Sequence, residues 1–284
     1  MNNMPDGDLF VKMKFLYSSF TKAEKRIADI ILTDYESVCN YSMADFSQAA
    51  DCSEASVMRF CRKIGMGGIK ELKQELSAVK NAAYDKGTYK IRSSDPACDI
   101  FKKIIWQYKK TLDDTLVLCD ENFEEALQTI CQAGQIVFYG VGDAYTVALM
   151  AAMKFQRLGI LSNAYSDLSQ MLVSASTLKK GDLAVAISYS GETRSIIDSL
   201  KIAKENNANT LAIMHSPNST LEKYADFKIF TATTDFTAGH DEIARRTAEF
   251  AIIDTLFAGT IVRKADTCKQ QHRKSIQAII DNKN

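Results

Sequence analysis

Net charge is the first thing this 284-residue sequence lacks: 35 lysines and arginines stand against 35 aspartates and glutamates. Nucleic-acid binding, if present, therefore has to come from a local basic face, because the chain as a whole supplies no attraction for a polyanion. The seven cysteines (Cys39, Cys52, Cys61, Cys98, Cys119, Cys131 and Cys268) include no C-x-x-C pair and are odd in number. That excludes the spacing of a zinc site and argues against a disulfide framework, so a reduced, cytoplasmic setting and no metal are expected. The opening MNNMPDGDLF lacks a basic stretch followed by an apolar one, so no secretory signal is expected. No apolar run approaches the ~20 residues that span a bilayer, which speaks against a membrane partner. Internal repeats and low-complexity tracts are missing too. With 46% hydrophobic and 25% charged residues the chain is a folded one, and its length suits two domains.

The first 80 residues read as helix. Ala23, Ile27, Ile30 and Ile31 recur at helical spacing behind Thr21, a natural N-cap. A short helix follows Ser42 with Phe46, Ala49 and Ala50 inward, and another follows Ser53. Residues 81–97 lose the apolar period and carry Gly87, two serines and Pro96, the composition of a linker. Helical stretches then cover about 98–117 and 121–132. From 135 onward β-rich runs alternate with helices: 136–140, 162–166, 183–188, 210–214 and 227–230. The near-continuous apolar character of the first, third and fourth predicts strands covered on both faces, hence a parallel sheet flanked by helices. The expected organisation is an all-α domain at 1–80, a linker at 81–97, an α/β domain at 98–264 and a helical tail at 265–284.

Between Ser42 and Ile64 two short helices bracket a tight turn at Asp51 and Cys52. Ala49 and Ala50 are small enough to let the helices approach, and Ser53 can cap the second helix. Val57, Phe60, Cys61 and Ile64 fall at i, i+3, i+4 and i+7 and make one buried stripe. The remaining surface carries Ser53, Glu54, Ala55, Ser56, Arg59, Arg62 and Lys63. A recognition helix needs this arrangement: a locked inner face, small polar groups at the N-terminus for base edges, and cations for phosphates. From Ser53 to Lys80 six basic residues outnumber three acidic ones. An ordinary helical hairpin with a solvated charged face would satisfy the same spacing.

Three polar loops follow predicted strands, and in an open parallel sheet ligands bind at those strand ends. Gly140-Val-Gly142 opens a helix, which offers free N–H groups to an anion. The dinucleotide fingerprint would want a third glycine where Tyr145 stands, so no nicotinamide cofactor is expected, although Asp167 resembles a ribose-binding acid. Ile187-Ser-Tyr-Ser-Gly-Glu-Thr193 brings Ser188, Ser190, Gly191 and Thr193 to one strand end before a helix, where three hydroxyls and backbone N–H groups suit a phosphate. Simple capping is the competing explanation. The third loop, Met214 to Thr220, holds His215, expected to be an ordinary loop histidine, and Ser219, expected to cap a short helix near Leu221.

The 187–193 stretch resembles the I-S-x-S-G-x-T signature of sugar isomerase (SIS) domains. Thr21-Lys-Ala-Glu-Lys-Arg-Ile-Ala-Asp29 and the stretch from Ser53 to Gly65 resemble the DNA-binding domain of RpiR-type regulators. The two resemblances, in this order, span about residues 10–263. They imply a dimeric or larger regulator that binds operator DNA through its first domain and a phosphorylated sugar through its second. By position, Ser188, Ser190 and Thr193 match the phosphate-binding hydroxyls; Arg246 matches an arginine at the start of the last helix; Asp167 and Gln170 fall in a stretch near the ligand. Two departures stand out: Ala144 replaces a usual serine and Met214 a usual threonine.

Two other functions are compatible with the sequence. A sugar-phosphate isomerase needs a base near C1 and C2, and His240, Asp241 and Glu242 are the available groups; their place at a helix start explains the acids equally well. A dimerisation scaffold that has lost its ligand is the other, motivated by Ala144. The expected function is a non-enzymatic, cytoplasmic transcriptional regulator, homodimeric or homotetrameric, without a cofactor.

Overall fold

The computed structural model describes residues 8–82, 91–232 and 242–281. Two compact units, Met1–Lys103 and Ile104–Asn284, divide the chain.

The first unit is helical: α1 (Asp8–Leu16), α2 (Lys22–Val38), α3 (Met43–Ala49), α4 (Glu54–Lys63) and α5 (Ile69–Ala82). Its starts are set by side chains. Thr21 accepts from the Glu24 N–H at 3.3 Å while the Glu24 carboxylate accepts from the Thr21 N–H at 2.8 Å, and Ser42 and Asp45 repeat the same reciprocal cap on α3. Ile27 and Ile31 are fully buried with Phe10, Phe46, Phe60 and Leu72 in one core; Ala23 and Ile30 are half-buried at its rim. Of the two small residues expected between α3 and α4, only Ala50 is buried. Ala49 is exposed, because one step along the helix rotates it by about 100° onto the solvent side.

Helix α6 (Ala97–Leu116) contains the boundary between the units. The stretch expected as a linker is therefore partly helical: residues 81 and 82 end α5 and residue 97 begins α6, with 83–90 outside the described residues.

The second unit is built on five parallel strands, β1 (Gln135–Gly140), β2 (Leu161–Tyr165), β3 (Leu183–Ile187), β4 (Asn209–Met214) and β5 (Phe227–Phe230), in the order β2-β1-β3-β4-β5. Side-chain alternation sends Ile136, Phe138, Val185, Ile187 and Ile213 to one face, against α7 (Asn122–Gln132), α8 (Asp143–Gln156) and α11 (Glu242–Arg263). Val137, Tyr139, Ala184, Ala186 and Ala212 face α9 (Leu168–Thr177) and α10 (Arg194–Glu205). Two apolar layers on one sheet explain why the central strands read as continuous apolar runs.

The tail beyond residue 264 is the helix α12 (Ala265–Asp281), and it is part of this unit. Cys268 is buried in the α8-side core, the His272 ring meets Phe257 edge-on, and the Ser275 hydroxyl donates to the Arg157 carbonyl at 3.1 Å. No helix among the described residues is long and apolar enough to cross a membrane.

Candidate functional site

In the first unit, Val57, Phe60, Cys61 and Ile64 are all buried, so the inner face of α4 is fixed as the spacing predicts. Burial pushes the Cys61 thiol up to about 11, which leaves it an inert core group. Ser53 caps α4 by accepting from the Ser56 N–H at 3.3 Å. Its hydroxyl lies 3.0 Å from that of Ser56, which in turn accepts from Arg59 at 3.1 Å. The outer face thus presents Ser53, Glu54, Ala55, Arg59 and Arg62, all exposed, with half-buried Ser56 at the edge.

Lys63, expected on that face, is exposed too, but its ammonium is engaged within the protein. Its ammonium donates to the Ser19 carbonyl at 2.8 Å and to the Glu24 carboxylate at 3.0 Å, and lies 5.2 Å from the centre of the Phe20 ring. The same Glu24 that closes the α2 cap holds the lysine back. Arg26, which spacing did not single out, donates to the carbonyls of Ala50 at 2.9 Å and Asp51 at 2.5 Å. It thereby fixes the turn in which Asp51 adopts the left-handed conformation, at φ +46°.

In the second unit the strand order reverses direction between β1 and β3, and a switch point of this kind opens a crevice at the carboxyl ends of the two strands. The Gly140–Gly142 loop sits on one side and the 188–193 loop on the other. A Cβ on Gly140 would lie 2.7 Å from the Ala144 carbonyl oxygen, so glycine there is needed for the strand to turn into α8. Gly142 has φ +62° with open space around it.

Within the 188–193 loop the hydroxyls divide. Ser188 is buried; its hydroxyl accepts from the Gly191 N–H at 3.3 Å and lies 3.4 Å from that of Thr193. Ser190 is exposed, and Thr193 is half-buried at the start of α10 with no capping bond. Ser188 braces the turn, while the hydroxyls of Ser190 and Thr193 lie beside the α10 N-terminus, whose free N–H groups suit an anion.

The loop is laced to its neighbour after β4. His215 and Ser216 donate their N–H groups to the Tyr189 carbonyl at 3.0 and 3.3 Å, and Leu221 donates to Gly191 at 3.0 Å. The Glu192 carboxylate accepts from both the N–H and the hydroxyl of Thr220, at 2.6 and 2.7 Å. These bonds, the Thr220 N–H first, hold its acidity below the usual carboxylate range. His215 stacks on Tyr189 with ring centres 4.6 Å apart, and its Nδ1 lies 2.8 Å from the Thr231 carbonyl. Ser219 does not cap the turn at Leu221: its N–H donates to Glu222 and its hydroxyl points to the Met214 sulfur. The methionine that stands in place of threonine is what that hydroxyl meets.

Two consecutive arginines of α11 reach the two sides of the crevice. The Arg245 guanidinium lies 3.8 Å from the centre of the Tyr189 ring. Arg246 pairs with Asp143, at the start of α8, with Nε 3.2 Å from Oδ2, and with Glu249 one turn on. Glu249 is buried, and burial pushes its carboxyl up to about 7 although Arg246 pulls the other way. Arg245, Asp143 and Glu249 were not picked out from sequence, although two arginines and an acid three residues on, in a strand-end helix, were the available signal. Asp167 and Gln170 lie at the end of the edge strand β2, where Asp167 caps α9 by accepting from the Gln170 N–H at 3.0 Å. Both are exposed, one strand further out than the switch point. His240, Asp241 and the Glu242 side chain lie outside the described residues. Among the described residues no cluster suits a metal ion.

Comparison with known proteins accords with this division. Residues 8–82 match the model of the helix-turn-helix domain of the rpiR family, and residues 129–259 match the SIS domain. An HTH-type transcriptional regulator of Caldanaerobacter subterraneus subsp. tengcongensis is 37% identical over 88% of this chain and 89% of its own length. One from Haemophilus influenzae is 30% identical over 97% of both chains. Among solved structures, the Vibrio vulnificus NanR protein complexed with ManNAc-6P superposes with a TM-score of 0.61 at 22% identity, covering 96% of this chain and 98% of that one. The chain belongs to the RpiR family of helix-turn-helix transcriptional regulators that carry a SIS domain.

Proposed function

We propose that the second unit binds a phosphorylated sugar in the crevice between β1 and β3, and that this binding changes the affinity of the first unit for operator DNA. The observation that carries the reading is the 188–193 turn: exposed Ser190, half-buried Thr193 and the α10 N-terminus converge at the switch point on a loop braced by Ser188 and Glu192. Arg245 and the Gly140–Gly142 loop border the same crevice, while Asp167 and Gln170 lie at its outer edge. The regulators named above and the phosphosugar in the NanR complex support the choice of ligand and outcome. On the DNA side, Arg59 and Arg62 meet phosphates while Ser53, Glu54, Ala55 and Ser56 approach base edges. A homodimer or homotetramer in the cytoplasm, without a cofactor, places two such helices on operator half-sites.

Glu249 gives the isomerase reading its one favourable observation, since a carboxyl near 7 suits a general base. It is only 1% exposed and is held by Arg246, so it is not open to a substrate, and the non-enzymatic reading is preferred.

The test is calorimetry and thermal unfolding of the full chain with paired sugars and sugar phosphates. A ligand at ~100 times its Kd adds ~2.7 kcal/mol to stability. The reading expects a response to a phosphosugar that is missing with the parent sugar and in Ser190→Ala. Because coupling is reciprocal, operator DNA must change that affinity; equal affinity with and without DNA would overturn the regulatory half.

A further inference from the structure

The Arg246 guanidinium has an acid on each side. Glu249 meets it from within α11, and Asp143 reaches it from the first turn of α8, across the crevice end of β1. The two acids are not equivalent. Glu249 is buried at 1% exposure and bonded through its Oε2 to Arg246, so it is fixed in place. The Asp143 side chain is 52% exposed, and its contact with Nε is an ion pair by distance and not an aligned hydrogen bond. One carboxylate is therefore built in and the other is displaceable. Asp143 directly follows Gly142, and neighbouring Arg245 touches Tyr189 of the 188–193 loop, so the Asp143–Arg246 pair lies at the mouth of the same crevice.

Resting on the phosphosugar reading above, we propose that Asp143 sets the charge class of the ligand. It fills the place at Arg246 that a second anionic group would take, so the crevice accepts a sugar phosphate whose body is uncharged and rejects one that also carries a carboxylate. The physical argument is charge balance. With Asp143 paired to the Arg246 guanidinium and Arg245 engaged on the Tyr189 ring, a further carboxylate would have to displace Asp143 or meet it at close range. Hydroxyls meet an acceptor in Asp143 and lose nothing. The phosphate itself is held away from this pair, at Ser190, Thr193 and the α10 N-terminus, so the two ends of the ligand are read independently. Helix electrostatics alone would explain an acid at the start of α8, but not its pairing with an arginine from another element.

Binding of three probes to the full chain tests this: inorganic phosphate, glucose 6-phosphate and 6-phosphogluconate, which differ by the phosphate alone, an uncharged body and a carboxylate. The wild-type chain is expected to bind 6-phosphogluconate at least about tenfold more weakly than glucose 6-phosphate. Asp143→Asn, with Asp143→Ser as a second variant at this half-exposed position, is expected to bring the two within about threefold while leaving inorganic phosphate unchanged. If phosphate binds but the two sugar phosphates are not discriminated, including the case where neither binds, the role of Asp143 is overturned and the phosphate site stands. That role is likewise overturned if Asp143→Asn and Asp143→Ser keep the wild-type ratio. Silence to all three probes overturns both proposals together.

Discussion

Gly191 and Ser219 touch with no room for a side chain between them: a Cβ built on Gly191 would lie 2.2 Å from the Ser219 hydroxyl oxygen and 2.5 Å from its Cβ. Gly191 also has φ +65°. The turn after β3 and the loop after β4 are therefore pressed together at the residue that lies between the Ser190 and Thr193 hydroxyls. Two separable costs follow for Gly191→Ala, a steric one and a backbone one. The substitution is expected to destabilise the chain by roughly 2–4 kcal/mol and to remove phosphosugar binding. Adding Ser219→Gly should return the steric part and leave ~1 kcal/mol for the left-handed backbone. Denaturant unfolding of the single and double variants separates the two, and no gain in the double variant would mean that Ser219 is not the obstacle.

The Glu192–Thr220 clasp predicts a different signature. It is exposed and joins two loops without filling the core, so Glu192→Ala should change global stability little. What it should change is how well the loops are held before the ligand arrives, and a looser cradle binds less tightly because ordering must then accompany binding. A roughly three- to tenfold rise in Kd for a phosphosugar, with an unshifted unfolding midpoint, is the expected result. An unchanged Kd would mean that the remaining backbone bonds alone, such as Leu221 N–H to Gly191, keep the cradle in shape.

Glu249 makes stability depend on pH in a direction opposite to most carboxylates. Burial raises its carboxyl from the ordinary 4.5 to about 7 in the folded chain. Between those values the folded state retains a proton that the unfolded state has lost. Its contribution is therefore complete below about pH 4.5 and disappears as pH rises through 7. Relative to Glu249→Gln, the wild-type chain should lose up to ~3 kcal/mol across that window. Parallel pH profiles for the two proteins would show that Arg246 keeps Glu249 ionised throughout.

How much of this was legible in the sequence depends on how far each partner lies along the chain. The inner face of α4 was legible because Val57, Phe60, Cys61 and Ile64 repeat at helical spacing, and burial follows period. The central strands were legible because a strand covered on both faces is apolar without interruption. The 188–193 turn was legible because its hydroxyls, its glycine and the helix start are contiguous. Illegible were the pairings made by folding alone. Glu24 lies 39 residues before the lysine it captures, and Arg26 lies 24 residues before the carbonyl it holds. Arg246 was singled out by resemblance, but its pairing with Asp143 across the crevice was not readable, since nothing local marks an acid at a helix start as a partner for a distant arginine. Ser188 shows the same limit on a smaller scale. Its type marked a hydroxyl at a strand end, but neither its burial nor its bond from the Gly191 N–H was readable there.

Lys63 and Arg62 are adjacent, both basic and both exposed, and yet should behave differently toward DNA. Arg62 is on the outer face of α4; Lys63 is held by Glu24 and Ser19 over the Phe20 ring. A cation that neutralises a phosphate releases counterions, so its loss lowers the salt dependence of binding as well as the affinity. Arg62→Ala, and likewise Arg59→Ala, should reduce the slope of log K against log salt by about 1 and weaken binding uniformly across sequences. Lys63→Ala should leave that slope nearly unchanged, because the ammonium is already paired within the protein. Its effect should appear in unfolding instead, where the Glu24 carboxylate loses its partner and α2 loses part of the support of its cap. Titrations at several salt concentrations with all three variants decide the matter. A slope change for Lys63→Ala equal to that for Arg62→Ala would mean that the lysine leaves Glu24 when the helix meets DNA.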